Sequence, residues 1–196
     1  MKRSKEEQKK ATIRKLTEVA RVYFSEQGYA DASMEEMVKE AGLTRGALYH
    51  HFGSKEGLFL AVLEMVQAEI AERVETEAAK SEDVWEQLLF GCRAFICAAV
   101  ESPNRRILLI DGPSVLGWET WRRMDEQHSM RLLQDQLQLM QEQGYLQPVS
   151  VASLTHLLSG AMNEAVLWIS QLPDSQQALA EVTESLTLML AGFRAK

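Results

Sequence analysis

The sequence predicts an all-α protein of about nine helices. Two observations carry this. Apolar residues recur every three to four positions through almost every window, and no segment alternates convincingly as a strand. Start and stop signals also punctuate the chain at helix-length intervals: Ser33, Asp83, Ser102-Pro103 and Asp174 as starts, Gly28, Gly42, Gly144 and Pro173 as stops. A third observation divides the helices. The stretch from Ser33 to Phe52 reads as two short helices joined by a tight turn, which sets a three-helix N-terminal head (1–60) apart from a helical body (61–196).

The first helix is expected from about Glu6 to Gln27, with Ile13, Leu16, Ala20, Tyr23 and Phe24 as its buried stripe and Gly28 as its stop. Ser33 is a good N-cap for the second, and Glu36 completes a capping box. Met34, Met37, Val38 and Ala41 share one face, and Gly42 supplies a residue suited to positive φ. Leu43 plugs the turn, Thr44 caps the third helix, and Leu48 and Phe52 point back to the core. Arg45, Gly46, Ala47, Tyr49 and His50 are left facing outward. This is helix-turn-helix geometry, in which the second helix of the pair enters a DNA major groove through its N-terminal residues.

The outward set suits that task. Arg45 can make a bidentate contact to guanine. Gly46 and Ala47 are small enough for close backbone approach, and Tyr49 and His50 carry polar tips. Arg45, Gly46, Ala47 and His50 are expected to read bases, and Ser33, Thr44, Tyr49 and Lys55 to hold phosphates. Lys55 opens a helix, where a cation is mildly unfavourable unless a phosphate docks there too. The net charge of −7 hides an asymmetry: residues 1–60 hold 11 Lys/Arg against 9 Asp/Glu, residues 61–196 hold 10 against 19. Residues 1–21 alone hold 8 basic against 3 acidic side chains, a basic arm of the kind that meets a phosphate backbone, with Lys9, Lys10 and Arg14 near it.

A long fourth helix follows, about Lys55 to Ala79, whose apolar period runs unbroken from Leu58 to Val74. A fifth starts near Asp83. A short sixth, starting at Ser102-Pro103, is expected to break at Asp111-Gly112-Pro113. The seventh is expected to run unbroken from Ser114 or Gly117 to Gln143, the eighth from about Val151 to Leu172, and the ninth from Asp174 to about Ala195. The last two are apolar on two faces, so both sides must be covered. A homodimer through a four-helix bundle follows, with Leu154, Leu158, Ala161, Ala165, Leu179, Val182, Leu186, Met189 and Phe193 as its contacts. In the seventh helix Trp121, Asp125 and His128 share a face with Trp118 at its edge. With Trp85, Phe95, Met124, Asn163 and Trp168 they compose a candidate apolar pocket with a few orienting polar groups, fit for a small, largely apolar or aromatic molecule. The competing reading makes the tryptophans core and puts Asp125 and His128 at the solvent edge.

Other classes find little support. The charged start MKRSKEEQKK, with no apolar core after it, is not expected to act as a signal peptide, and no apolar run reaches the roughly 18 residues that span a bilayer. Two cysteines, Cys92 and Cys97, suit a reducing cytoplasm and sit about 140° apart on a helix, poor geometry for a shared metal. No phosphate-cradling glycine loop or nucleophile elbow is present, so neither an enzyme nor a cofactor is expected.

The run from about Arg14 to Leu63 resembles the DNA-binding domain of the TetR family of bacterial transcriptional regulators. The resemblance rests on Phe24 to Gly28, Ser33 to Gly42, the block Leu43-Thr-Arg-Gly-Ala-Leu-Tyr-His-His-Phe52, and Ser54-Lys55-Glu56-Gly57-Leu58-Phe59. Gly57 departs from the pattern, standing where a second polar residue is common. The resemblance implies a homodimeric regulator, most often a repressor, with an effector pocket in the larger domain. It also implies release from a palindromic DNA operator when an effector binds. Two rivals are a DNA-organising protein without an effector, and a helical ligand-binding or adaptor protein that no longer binds DNA.

Overall fold

The computed structural model describes residues 5–195, so Lys2 and Arg3 of the basic arm lie outside the described residues. The fold is helical throughout them, apart from a single bridge between Leu146 and Arg194. The chain divides into two compact units, one of residues 1–66 and 102–121, the other of 67–101 and 122–196. The first compact unit therefore joins the N-terminal helices to a later segment of the chain.

In the first unit α1 spans Lys5–Asp31 with its helical geometry broken at Gly28, the expected stop, and one further turn beyond it; α2 is Met34–Glu40, α3 Arg45–Phe52, and α4 starts at Lys55. The expected caps are in place. Ser33 Oγ accepts from the Glu36 N–H (3.4 Å) and Thr44 Oγ1 from the Ala47 N–H (3.2 Å). Gly42 has φ +63°, and the N–H groups of Gly42 and Leu43 return to the carbonyls of Lys39 and Val38, closing the turn. The core gathers Leu16, Ala20, Phe24, Met37, Leu48, Leu58, Phe59 and Leu63, all fully buried. The Phe24, Tyr29 and Phe59 rings pack at 5.2–5.8 Å between centroids. Phe52 is only half-buried rather than core. Gly57 has a steric reason to be glycine: a Cβ there would collide with the Phe52 carbonyl oxygen.

The sixth helical segment departs from expectation. It does not break at Asp111-Gly112-Pro113. Instead α6 (Ser102–Arg105) leads into a π-helical turn (Arg106–Asp111), which continues as α7 (Gly112–Leu116) and ends at Gly117. The Gly112 N–H donates to the Ile107 carbonyl, five residues back. Pro113 has no N–H and its ring would crowd the carbonyl four residues before it, so the wider turn accommodates a proline that would otherwise end the helix.

In the second unit lie the later part of α4 (Lys55–Ala78), α5 (Val84–Val100), α9 (Ser129–Glu142), α10 (Val151–Ile169) and α11 (Ser175–Ala191). Helix α8 (Trp118–Gln127) starts in the first unit and continues into the second, as α4 does. The expected seventh helix is thus two. His128, at φ −119° and ψ −114°, leaves the helical region, and its carbonyl then accepts from Leu132 to open α9. No glycine or proline marks that break. Asp83 caps α5 and Asp174 caps α11 through their carboxylates, as expected. No helix among the described residues is long and apolar enough to cross a membrane.

Candidate DNA-reading head and effector cavity

Helix α3 is held by its buried Leu48 and by the Thr44 cap, which leaves Arg45, Gly46, Tyr49 and His50 exposed and Ala47 half-buried. The Arg45 guanidinium donates to Glu35 Oε1 of α2 (3.1 Å) and lies 5.8 Å from the Tyr49 ring centroid. It is held out from the helix start and keeps most of its surface. Ser33 and Thr44 use their hydroxyl oxygens as caps, yet a hydroxyl that accepts from an N–H can still donate to a phosphate. Tyr23 braces α1 against α2 by donating to Glu40 Oε2 (2.8 Å).

Lys55 is more tied down than its sequence position suggested. Its ammonium donates to the Ala30 carbonyl near the end of α1 (3.1 Å) and lies 4.8 Å from the Tyr29 ring centroid. Burial pulls its pKa below the ordinary lysine value, and Asp31 opposes the shift. The lysine therefore complements the carboxyl end of α1, a role the sequence reading missed. His51, half-buried beside the exposed His50, is likewise lowered, by burial first and then by His50 and Lys9. Arg14, expected near DNA, pairs with Glu18 at 2.7 Å one turn along its own helix.

In the second unit a cavity of about 310 Å³ is walled by α4, α5, α9 and α10, with Asp125 of α8 at one side. Of the expected pocket residues it includes Phe95 and Asp125. Asp125 is buried, and its Oδ2 accepts from Arg122 Nη1 at 2.9 Å. Arg122 Nη1 also reaches Ser159 Oγ (3.1 Å), and its Nη2 donates to His156 Nδ1 (2.9 Å). Burial raises the Asp125 carboxyl above its ordinary range, with Arg122 and then Ser159 opposing.

The remaining expected residues do not line this cavity. Trp121 is buried in the first unit, where its indole N–H donates to the Leu108 carbonyl (2.6 Å) and its ring lies 4.9 Å from that of the 65% exposed Trp118. Met124 is core, and His128 stands at the break between α8 and α9. Trp85 is half-buried under the Arg194 guanidinium (4.8 Å). Asn163, with a buried and unpartnered Oδ1 among the described residues, and Trp168 lie elsewhere on α10. Tryptophans dominate the expected set, whereas the wall is largely aliphatic and sulfurous: Leu88, Cys92, Met130, Leu133 and Met162. Met130, Leu133, Leu137 and Met140 are spaced as one buried helix face, and the first two of them reach the wall.

The last two helices also sort their apolar residues. Leu154, Leu158 and Leu186 are buried by the chain's own helices, so they are core rather than outward contacts. What remains outward on α10 is Leu157 (69% exposed), Ala161 and Trp168, and on α11 Leu188 (70% exposed) and Met189. Ala165, Leu179, Val182 and Phe193 are half-buried. A shallow groove of about 300 Å³ runs between these helices past Ala161, Ala165, Trp168, Val182 and Met189.

Comparison with known proteins agrees with this layout. Residues 16–62 match the family model described as bacterial regulatory proteins of the tetR family, and residues 85–193 match that of a tetracyclin repressor-like C-terminal domain. A crystal structure of a TetR-family transcriptional regulator from Pectobacterium atrosepticum is 36% identical, covers 99% of both chains and superposes with a TM-score of 0.81. The transcriptional repressor AcnR of Corynebacterium efficiens is 44% identical over 59 residues, 30% of this chain and 31% of its own. The transcriptional regulator AcrR of Shigella flexneri is 38% identical over 72 residues, 37% of this chain and 34% of its own. The chain thus spans about a third of the length of the curated relatives it matches.

Proposed function

The chain belongs to the TetR family of bacterial transcriptional regulators, and from that premise we propose that it is a homodimeric repressor that leaves a palindromic operator when a small, largely apolar or aromatic effector binds. One observation carries the DNA-reading part. A helix capped by Thr44 presents Arg45, Gly46, Tyr49 and His50 to solvent with Ala47 half-exposed beside them, on a turn fixed by Gly42. Arg45 reads guanine, Gly46, Ala47 and His50 meet base edges, and Ser33, Thr44 and Tyr49 hold the backbone. Lys55 serves chiefly to close the end of α1, and any phosphate it meets shares it with Ala30.

The dimer forms through the outward faces of α10 and α11, with Leu157, Ala161, Trp168, Leu188 and Met189 at its centre and Ala165, Leu179, Val182 and Phe193 at its margin. Two-fold symmetry then places two recognition helices on half-sites about one turn of DNA apart or somewhat more. The effector occupies the cavity against Phe95 and Asp125. Its binding is felt along α4 and α8, the helices that run from one compact unit into the other. The effector must favour the conformation that binds DNA poorly.

Footprinting on the DNA flanking its own gene, at physiological salt with competitor DNA, tests this reading. A compact, two-fold symmetric protected site supports it. Smeared protection that fades with salt supports a DNA-organising protein instead.

A further inference from the structure

The cavity wall is apolar, but its charged lining is of one sign. Glu75, Asp125 and Asp135 line it, and no lysine, arginine or histidine does so among the described residues. Glu75 and Asp135 are exposed, so they stand where the cavity meets solvent. Neither carboxylate has an ion pair or side-chain hydrogen bond among the described residues. Asp125 lies deeper and already holds Arg122, which is not part of the lining. An anion entering here would meet two unpaired carboxylates and no cation to receive it. A neutral molecule could offer them a hydrogen bond at most, without the charge pairing. A cation would pair with them while its apolar part lay on the wall, and the Phe95 ring offers a further face for positive charge. A cleft lined by one sign of charge with low-dielectric walls also concentrates ligands of the opposite sign.

We propose that the effector is an amphipathic cation: an apolar or aromatic body carrying one protonated amine or quaternary ammonium, with its body on the cavity wall and its charge at Glu75 and Asp135. The inference rests on the reading of the cavity as the effector site. It adds the charge of the ligand, which that reading leaves open.

The test uses the full chain and three probes with the same arene and linker: 4-phenylbutylamine, 4-phenylbutanol and 4-phenylbutanoate. Affinity is measured by tryptophan fluorescence and calorimetry at neutral pH. The amine is expected to bind about tenfold tighter than the alcohol, and the carboxylate more weakly than either. In a Glu75→Gln, Asp135→Asn variant, whose changed residues are exposed and leave the core intact, the amine should fall to the alcohol's affinity while the alcohol is unmoved. Binding of the alcohol without preference for the amine overturns the cation proposal and leaves the cavity as an effector site. An amine preference that survives the double substitution overturns it as well. Failure of all three probes overturns both the proposal and the reading beneath it.

Discussion

The Arg106 guanidinium lies where a Cβ on residue 28 would have to be. From there it donates to the Glu26 and Gln27 carbonyls at the end of α1 (3.2 and 3.1 Å). The Tyr29 N–H donates to Asp111 at the other end of the same π-helical turn (2.9 Å). Gly28 itself sits at φ +83° and ψ 168°, a region only glycine visits cheaply. Segment 102–121 is thus fastened to α1 at a point where glycine is required twice over. Gly28→Ala should destabilise the protein by about 1–3 kcal/mol through the backbone alone, and further by displacing Arg106. Urea denaturation of Gly28→Ala, Arg106→Ala and the pair would check this. The double variant should lose less than the sum, because removing Arg106 frees the space that the new methyl needs.

Leu157 and Leu188 are the most exposed large aliphatic side chains on the last two helices. Leu157→Glu places a charge at the centre of the proposed dimer and costs the monomer almost nothing. Sedimentation should show monomers that keep full helical circular dichroism. Leu158→Glu, one residue on, buries that charge in the core and should unfold the body instead.

Asp125 supplies a pH dependence whose sign follows from its burial. Burial raises its carboxyl, so the folded state takes up a proton at higher pH than the unfolded chain does. The resulting stability is full below the unfolded pKa of about 4 and is lost as pH rises through the folded value. Wild type should therefore gain on Asp125→Asn as pH falls from 7 to 4, in denaturation curves run side by side. A gap that moves the other way would show that Arg122 outweighs burial.

Burial pushes the Cys92 thiol up to about 12, whereas Cys97 is half-buried. The thiolate is the reacting species, so at pH 8 iodoacetamide should modify Cys97 and spare Cys92. Peptide mass spectrometry reads the two sites separately, and denaturant should abolish the difference.

The head was legible in the sequence because its signals are local. A cap, a turn glycine and a helical apolar period each act within four residues, and Ser33, Gly42 and Thr44 behave as read. What escaped was non-local. Nothing near Lys55 announces that its ammonium reaches Ala30, and nothing near Gly112-Pro113 says that a π-helical turn will carry the helix through. The break at His128 has no glycine or proline to mark it, so the sequence alone carries one helix through it to Gln143. Amphipathic pattern on α10 and α11 disclosed two apolar faces but not which one the chain itself covers, since Leu157 and Leu158 are equally apolar.

The central claim is that Arg45 and its neighbours read DNA sequence in two symmetric copies. Selection of bound duplexes from a random pool, with wild type and Arg45→Ala in parallel, tests it most directly. Wild type should enrich a two-fold symmetric motif with a guanine in each half. Arg45→Ala should lose discrimination at that position, on the order of 1–3 kcal/mol per half-site, while remaining folded and dimeric. Enrichment of no motif by wild type, or of the same motif by both proteins, would contradict it.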